Sequence, residues 1–298
     1  MLTEKIYNII DPIIEKNMMM IKSNVIDYAI LGSSSGHYGW KEVRFCDFDI
    51  WIYCNNIEDV TIISEIRKLI QDISEIMKNK NIVVLADAIN GPYKPEIWEV
   101  KSKDILFLHL LIDDENTYNR RSIFTKLSWS KYEARYNKNL LKELLDRLPT
   151  ESDLLYSKCG ILKTLKTLQA GVVMYNKMNL FTGEESQLEF NRESAQYIEF
   201  ILHSVMTIAR NRARLLHQTE ADCLENMHFA EWYDKMYGSN FVKTIAEYKM
   251  KVSECGYGVI KSNTILENRA IDWLIDLKDE VEKKYENKYL DCAYCLLY

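Results

Sequence analysis

The segment Phe45 to Cys54, FCDFDIWIYC, restricts the fold because two acidic residues interrupt an apolar run that alternates along its length. Successive side chains of a β-strand point to opposite faces, so this segment predicts a strand with two different faces. One face is predicted to join the core and contains Cys46, Phe48, Ile50, Ile52 and Cys54. The other face is predicted to form a site and contains Asp47, Asp49, Trp51 and Tyr53.

Asp47 and Asp49 share the site face, with their Cβ atoms separated by roughly 7 Å along the strand. Two carboxylates at that spacing repel each other unless a cation lies between them. Hard divalent ions such as Mg²⁺ take oxygen ligands and bind substrate phosphates at the same time. The pair therefore predicts a Mg²⁺ site with Asp47 and Asp49 as ligands.

A glycine and a serine, Gly32-Ser33, follow the apolar run that ends at Leu31 and begin a polar loop. Gly32 lets the backbone turn tightly and approach a ligand without a Cβ in the way. The Ser33 hydroxyl and the amides that follow it can donate to phosphate oxygens. We therefore expect a phosphate-binding turn just before the acidic strand.

Gly-Ser, 13 further residues and Asp-x-Asp in an apolar strand resemble the signature of the nucleotidyltransferase superfamily. Its small bacterial members include enzymes that adenylylate aminoglycosides and lincosamides. The resemblance covers about the first 115 residues. It implies that Gly32 and Ser33 bind the triphosphate, that Asp47 and Asp49 bind Mg²⁺, and that a third carboxylate on a later strand completes the site. The loop is at the long end for this pattern and Phe48 replaces a common Ile, but both departures leave the ligands in place.

The third residue of the site is left open by the sequence. Glu99, in the segment PEIWEV, is the preferred catalytic base, because a carboxylate of raised pKa can take the proton of an acceptor hydroxyl. Asp104 begins the next predicted strand, and Asp87 is a weaker candidate. His109, in the middle of DILFLHLLID, either faces the metal-bound phosphates or is a core histidine with a polar partner, since burial without one costs about 1 to 3 kcal/mol.

Hydrophobic periodicity predicts helices over 3–22, with Pro12 as a kink or break, and over 58–78. The second helix carries one isoleucine-rich stripe, Ile62, Ile63, Ile66, Leu69, Ile70, Ile73 and Ile76. Strands are predicted over 82–86, 96–100 and 105–112. From Trp129 onward the pattern indicates helices, with capping boxes at Thr150-x-x-Asp153 and Thr219-x-x-Asp222. The last long helix has an apolar stripe of Leu266, Ala270, Trp273 and Leu277.

These elements predict an α+β fold in two domains. A mixed-sheet nucleotidyltransferase domain is expected over 1–125 and an all-helical bundle over 126–298, with the acceptor cleft at their junction. The implied reaction transfers a nucleoside monophosphate from an NTP, with ATP as the expected donor, to a hydroxyl of a small molecule and releases pyrophosphate. With an aminoglycoside or a lincosamide as the acceptor, this reaction would confer antibiotic resistance. The alternative is a toxin-antitoxin or regulatory protein of this fold that modifies or binds a protein or RNA partner.

The charge balance of the sequence restricts the kinds of partner that we expect. With 38 basic and 44 acidic residues the formal net charge is −6, which disfavours a long nucleic acid and suits a small cationic acceptor. No segment approaches about 18 apolar residues without charge, so no membrane partner is expected. The acidic, amphipathic amino-terminal segment differs from a signal peptide, and a cytoplasmic location is expected.

Three further motifs each have a structural alternative. Arginines at 210, 212 and 214 precede His217, as in the short motif of helical HEPN ribonucleases, but a solvated basic helix face is favoured. The segment Tyr175-Asn176-Lys177 with the turn Thr182-Gly183-Glu184 is similar to a helix-turn element in helical tails of antibiotic nucleotidyltransferases, and simple helix packing is favoured. Cys292-x-x-Cys295 has the spacing of half a zinc site, but a reduced, packed pair is favoured.

Overall fold

The computed structural model describes residues 2–32, 45–89, 104–130, 132–142, 150–216, 225–255 and 263–284. The strands are β1 (Val25–Leu31), β2 (Phe45–Cys54), β3 (Ile82–Ile89), β4 (Asp104–Asp113), β5 (Val172–Asn179) and β6 (Glu185–Asn191). The helices are α1 (Leu2–Met20), α2 (Val60–Lys78), α3 (Glu115–Arg120), α4 (Ile123–Trp129), α5 (Glu151–Ala170), α6 (Ala195–Leu215), α7 (Asn226–Tyr237), α8 (Phe241–Cys255) and α9 (Asn263–Lys284). In the described part of the chain, no helix combines the length and the apolar character needed to cross a membrane.

The strands form a mixed sheet in the order β1-β2-β4-β3-β5-β6. β1 runs antiparallel to β2, and β2, β4 and β3 run parallel to one another. β5 then pairs antiparallel with the last residues of β3. The predicted mixed sheet flanked by helices is therefore confirmed, and the acidic strand β2 lies inside the sheet between β1 and β4.

The core on one face of the sheet is built by α1 and α2. It contains the β2 side chains Phe48, Ile50, Ile52 and Cys54, as the alternation of the sequence predicts. Asp59 caps α2 by accepting a hydrogen bond of 2.8 Å from the Thr61 amide, which satisfies one of the free N–H groups of the first turn.

Both predicted amino-terminal helices are present, with small differences. Pro12 lies within a single helix, α1, so the prediction of two short pieces is wrong. In α2 the predicted stripe is too wide, because Ile63 and Ile76 are 41% and 36% exposed whereas Met77 is buried. The remaining stripe residues, Ile62, Ile66, Leu69, Ile70 and Ile73, are buried.

The opposite face of the sheet is covered over part of its length. Trp51 of β2 packs there with Trp129, Tyr132 and Leu141, which follow the first four strands in the chain. Asp27 holds this covering segment in place, because its carboxylate accepts hydrogen bonds from the amides of residues 136 and 137 at 2.9 and 2.8 Å. The prediction that this whole face forms a site is therefore wrong at Trp51, which is fully buried.

The expectation that the chain after Trp129 contains helices and no strands is also wrong. β5 and β6 form a hairpin in the segment for which helix packing is the favoured prediction. In β5, Val173 and Tyr175 are buried while Met174 between them is 49% exposed, which is the period of a strand. Gly171 ends α5 at φ 71° and so separates this helix from β5, whereas Gly183, at φ 75°, lies in the turn between β5 and β6.

Other carboxy-terminal predictions are confirmed where the structure describes the residues. Thr150 and Asp153 form the predicted capping box at the start of α5. The predicted stripe of α9, Leu266, Ala270, Trp273 and Leu277, is buried. The second predicted box, at Thr219 and Asp222, lies outside the described residues, as does the predicted strand over 96–100.

The chain forms two compact units that do not follow the order of the sequence. The described residues up to 142 and the hairpin tip Asn176–Gln187 belong to the first unit. Residues 150–175 and the described residues from 188 onward belong to the second. This division differs from the predicted domains 1–125 and 126–298, because Tyr132 and Leu141 pack in the first unit and the hairpin tip returns to it.

Candidate active site

The site is built where β1 ends beside the middle of β2. In the sheet register, Leu31 of β1 lies opposite Asp49 of β2, and His109 of β4 lies opposite Asp49 on the other side. Gly32 follows directly after β1. Three segments that are far apart in the sequence therefore meet around one carboxylate.

The Asp49 carboxylate and the His109 imidazole are paired. Asp49 Oδ1 lies 2.9 Å from His109 Nδ1, and the two side chains are 21% and 29% exposed. Contact of His109 with metal-bound phosphates, one of the two alternatives left open, stays a prediction. For the other alternative, the structure gives the ring the expected polar partner, Asp49, and leaves it partly open to solvent. The sequence could not decide this, because the register that brings β4 beside β2 is not a local property of either strand.

The Gly32 bend lies against the same carboxylate. Its backbone adopts φ 66°, in the left-handed region that favours glycine. A Cβ at this position would lie 2.2 Å from Asp49 Oδ2, far closer than two such atoms can approach. Glycine therefore suits the bend through its backbone conformation, and any Cβ here would force the Asp49 carboxylate to move.

For several predicted site residues, either the whole residue or its side chain is not described by the structure. Ser33 and Glu99 are among these, so the predicted phosphate and base roles stay predictions. Asp47 lies in β2 opposite Phe107, and Asp104 begins β4, but their side chains are not described. Asp87 lies in β3, with its side chain likewise not described.

The described donor atoms fit a divalent ion only in part. Among the described side chains, no three His, Cys, Asp or Glu residues group closely enough to hold a metal ion. Asp49 and His109 supply one carboxylate and one imidazole. A divalent ion bound here would need the Asp47 carboxylate, water or substrate phosphates to complete its ligands, as is common for Mg²⁺.

A second carboxylate lies on the same face of β4, four residues after His109, and its surroundings are different. Asp113, at the end of β4, is 1% exposed and accepts hydrogen bonds from Trp51 Nε1 at 2.9 Å and from Arg121 Nε at 2.5 Å. Its other oxygen, Oδ1, is buried with no hydrogen-bond partner in the described part of the chain. Sequence reasoning missed this carboxylate, although the alternation of β4 places it on the face of His109.

The Asp113 end of the sheet is closed to solvent. Trp51 stacks on Tyr53 with ring centroids 5.5 Å apart, and Arg121 lies over the Trp129 ring at 5.1 Å. Cys54 follows on β2 and donates through its thiol to the Asp113 carbonyl at 3.3 Å. Burial, together with the negative charge of Asp114 nearby, raises the pKa of Cys54 to about 11.

A separate cavity of about 710 Å³ lies within the second unit. It is lined by aromatic and charged side chains, among them Arg212, Tyr233, Tyr237, Arg269, Trp273 and Glu280. Arg212 donates to Tyr233 Oη at 2.9 Å, pairs with Glu280 and stacks on Tyr237.

These contacts bear on the arginine motif before His217. Arg212 and Arg214 are only 19% and 7% exposed, so the favoured interpretation of a solvated basic face is wrong for both. Arg210 stacks on Phe229 at 4.3 Å. His217 lies outside the described residues, as do Cys292 and Cys295, and their assignments stay predictions.

Comparison with known proteins adds no relative from which a role could be taken. No protein-family model matches this chain, and no curated protein or solved structure matches it significantly.

Proposed function

We propose that this chain is a nucleotidyltransferase that depends on a divalent metal ion. It transfers a nucleoside monophosphate from an NTP, with ATP as the expected donor, to a hydroxyl group of a small molecule. The observation that carries the proposal is the contact between the Gly32 bend and the Asp49 carboxylate, because the proposed phosphate turn and the proposed metal ligand are remote in sequence yet adjacent in space.

Asp47 and Asp49 would hold Mg²⁺ on the site face of β2. When bound, the ion neutralises charge on the donor phosphates and aligns them for displacement. Asp49 is suited to this role because its carboxylate is partly exposed and its Oδ2 lies beside a bend with no side chain. Gly32 and Ser33 would bind the β and γ phosphates through backbone amides and the Ser33 hydroxyl.

The reaction is an in-line displacement at the α-phosphorus of the NTP. The acceptor oxygen forms a bond to this phosphorus while the bond to the β-phosphate oxygen breaks, and the electron pair leaves with pyrophosphate. The proton of the acceptor hydroxyl passes to a carboxylate, for which Glu99 is our candidate. The net charge of −6 suits a small acceptor that carries positive charge, such as an aminoglycoside.

Incubation with ATP labelled at either the α or the γ phosphate tests the proposal. In the presence of Mg²⁺ and a panel of aminoglycosides and lincosamides, we expect the α label on a small molecule and the γ label in pyrophosphate. Transfer of the γ label to the acceptor would indicate a phosphotransferase instead. Label on a protein would favour the regulatory alternative, and absence of both ATP binding and transfer would overturn the proposal.

A further inference from the structure

The cavity of about 710 Å³ within the second unit has the size of a small-molecule site, for which about 300 to 1,000 Å³ is usual. We propose that it binds an organic ammonium ion, which is an amine joined to an apolar or aromatic body, and that Asp276 pairs with the amine. The lining residues named below all belong to the second unit, so this site does not depend on the proposed function.

The most buried part of the cavity lining is aromatic. Tyr233, Phe241 and Trp273 are 0%, 5% and 9% exposed. The Trp273 ring centroid lies 6.4 Å from that of Tyr233 and 6.0 Å from that of Phe241, and the Tyr237 ring lies 4.6 Å from Tyr233. Neighbouring rings of this kind give the apolar body of a ligand a large surface against which to pack.

The aromatic lining already accommodates positive charge. The guanidinium carbon of Arg212 lies 3.8 Å from the ring centroid of Tyr237, and that of Arg269 lies 5.0 Å from the ring centroid of Phe241. The face of an aromatic ring is negative and attracts a cation. The lining therefore provides the surroundings that an ammonium group on an apolar body requires.

The carboxylates of the described lining outnumber its cations. The charged lining residues are two arginines, Arg212 and Arg269, and three acidic residues, Asp272, Asp276 and Glu280. Glu280 pairs with Arg212, whereas Arg269 donates to the neutral Asn240 side-chain oxygen at 3.3 Å. Among the residues that the structure describes, Asp272 and Asp276 form no ion pair. One negative charge is left over when each arginine is matched with a carboxylate.

Asp276 is the carboxylate best placed to receive the charge of a ligand. It follows Trp273 by three positions in α9, so the two side chains lie on the same face of the helix. Asp272 follows Arg269 by three positions, which partly offsets its charge. No basic residue lies three or four positions from Asp276 in either direction.

A ligand with a negative charge would have to use the same cavity differently. It would pair with Arg212 or Arg269 while lying close to three carboxylates, and Glu280 already neutralises Arg212. An anion is therefore disfavoured relative to an amine of the same size. The two ligand classes predict opposite responses to a change of charge at Asp276.

Three ligands with the same carbon skeleton and different charges distinguish these classes. Phenylbutylamine, phenylbutanol and phenylbutyrate are positive, neutral and negative at neutral pH. Calorimetry gives the affinity of each for the full chain, without nucleotide or metal. Asp276→Asn and Asp276→Lys are the test variants. Asp279→Asn and Asp279→Lys are the matched controls, since Asp279 is an exposed α9 residue outside the described lining.

We expect the natural protein to bind phenylbutylamine at least about tenfold more tightly than the alcohol or the acid. Asp276→Asn should lose about fivefold of the amine affinity and keep the affinity for the alcohol. Asp276→Lys should reverse the order, so that phenylbutyrate binds more tightly than the amine. Asp276 is exposed, so these variants should fold normally, which circular dichroism checks.

Equal binding of the three ligands, preference of the natural protein for phenylbutyrate, or an unchanged order in Asp276→Lys would overturn the proposal. Absence of binding of all three up to about 10 mM would overturn it as well. Equal losses in the Asp279 variants would show that the charge of the whole helix, and not Asp276, sets the preference, which also contradicts the assignment. Nucleotide transfer plays no part in this experiment, so its result is separate from the test of the proposed function.

Discussion

Asp49 and Asp113 are two carboxylates on one face of the sheet, in neighbouring parallel strands, with opposite surroundings. Asp49 is 21% exposed and is paired with a histidine beside a bend that lacks a side chain. Asp113 is 1% exposed and is bound by an indole and a guanidinium under an aromatic cover. A carboxylate that is itself buried and paired with a cation is committed to the fold, whereas one that is partly open and flanked by an adaptable donor can take a ligand.

The difference arises from the segments beyond the strands rather than from the strands themselves. The segment around Trp129 and Tyr132 covers Trp51 and so closes the Asp113 end. Arg121, just after α3, brings the cation that neutralises Asp113. The segments that cover the sheet thus decide whether an acidic residue has a structural role, as Asp113 has, or is available to bind a ligand, as Asp49 is.

The largest expected effect is on turnover. Replacing Asp49 by Asn removes the charge that would bind the metal but keeps an oxygen that can accept from His109 Nδ1. We expect nucleotide transfer to fall by about 10³-fold, or about 4 kcal/mol of transition-state stabilisation, with an unchanged melting temperature. Asp279→Asn, on the exposed surface of α9, is the charge-matched control. Full activity of Asp49→Asn would remove Asp49 from the site.

The reverse pattern is expected at Asp113. Asp113→Asn breaks the pair with Arg121 and leaves the Trp51 N–H with a poorer acceptor, which should cost about 2 to 3 kcal/mol because Arg121 is itself partly solvated. Urea unfolding followed by tryptophan fluorescence measures the loss. The metal affinity of the folded fraction should stay within about twofold of the natural value. A stable variant with weak metal binding would show that the two carboxylates do not differ in role.

Thiol reactivity tests how tightly the α1–α2 core is closed around Cys54. The raised pKa of Cys54, about 11, means that its thiolate forms only as the pH rises toward that value. At pH 8 we expect Cys54 to react with iodoacetamide about 100-fold more slowly than an ordinary thiol of pKa near 8.5. Mass spectrometry of labelled peptides gives the rate, with Cys159, which is partly exposed, as the internal comparison. Equal labelling of the two would mean that the α1–α2 core around Cys54 opens readily.

A smaller effect on stability is expected at the bend. Gly32→Ala and Gly183→Ala both force alanine into the left-handed region, which costs about 1 to 2 kcal/mol. Only Gly32→Ala also drives a Cβ into Asp49 Oδ2, since the nearest atom to a Cβ at Gly183 is 3.9 Å away. We therefore expect similar unfolding free energies from urea titrations but at least about tenfold weaker metal binding for Gly32→Ala alone. Equal metal binding would show that the Gly32 contact does not shape the site.

Local pattern was sufficient to predict much of the first unit. The alternation of β2 predicted its core face, and helical periodicity predicted α1 and α2, because these signals depend on residues within a few positions of each other. The resemblance to the nucleotidyltransferase signature implied that Gly32 lies near Asp49, and the two are in contact. The open pairing of His109 and the buried role of Asp113 were not predictable, because both depend on which strand lies beside β2 and on Arg121.

The hairpin of β5 and β6 is a second feature that local sequence pattern could not predict. Nothing within Val172 to Asn179 distinguishes a strand strongly from a helix, and the edge of β3 that receives it carries no local signal of a further strand. Pairing across the 90 residues that separate Ala88 from Met178 decides the outcome. Tertiary contacts of this length override weak local preference.

The pairing of the hairpin with β3 has a consequence for how the first unit can be produced and folded. Lys177 to Asn179 pair with the end of β3, Leu180 donates to the Ala86 carbonyl at 3.0 Å, and its side chain packs on the α1–α2 core. A gene fragment that stopped after residue 142 would encode the acidic strand and the glycine bend but would leave β3 with an uncovered edge. During synthesis, the amino-terminal unit is complete only after the ribosome has made α5 and the hairpin, so this edge of the sheet is sealed only once part of the second unit has emerged.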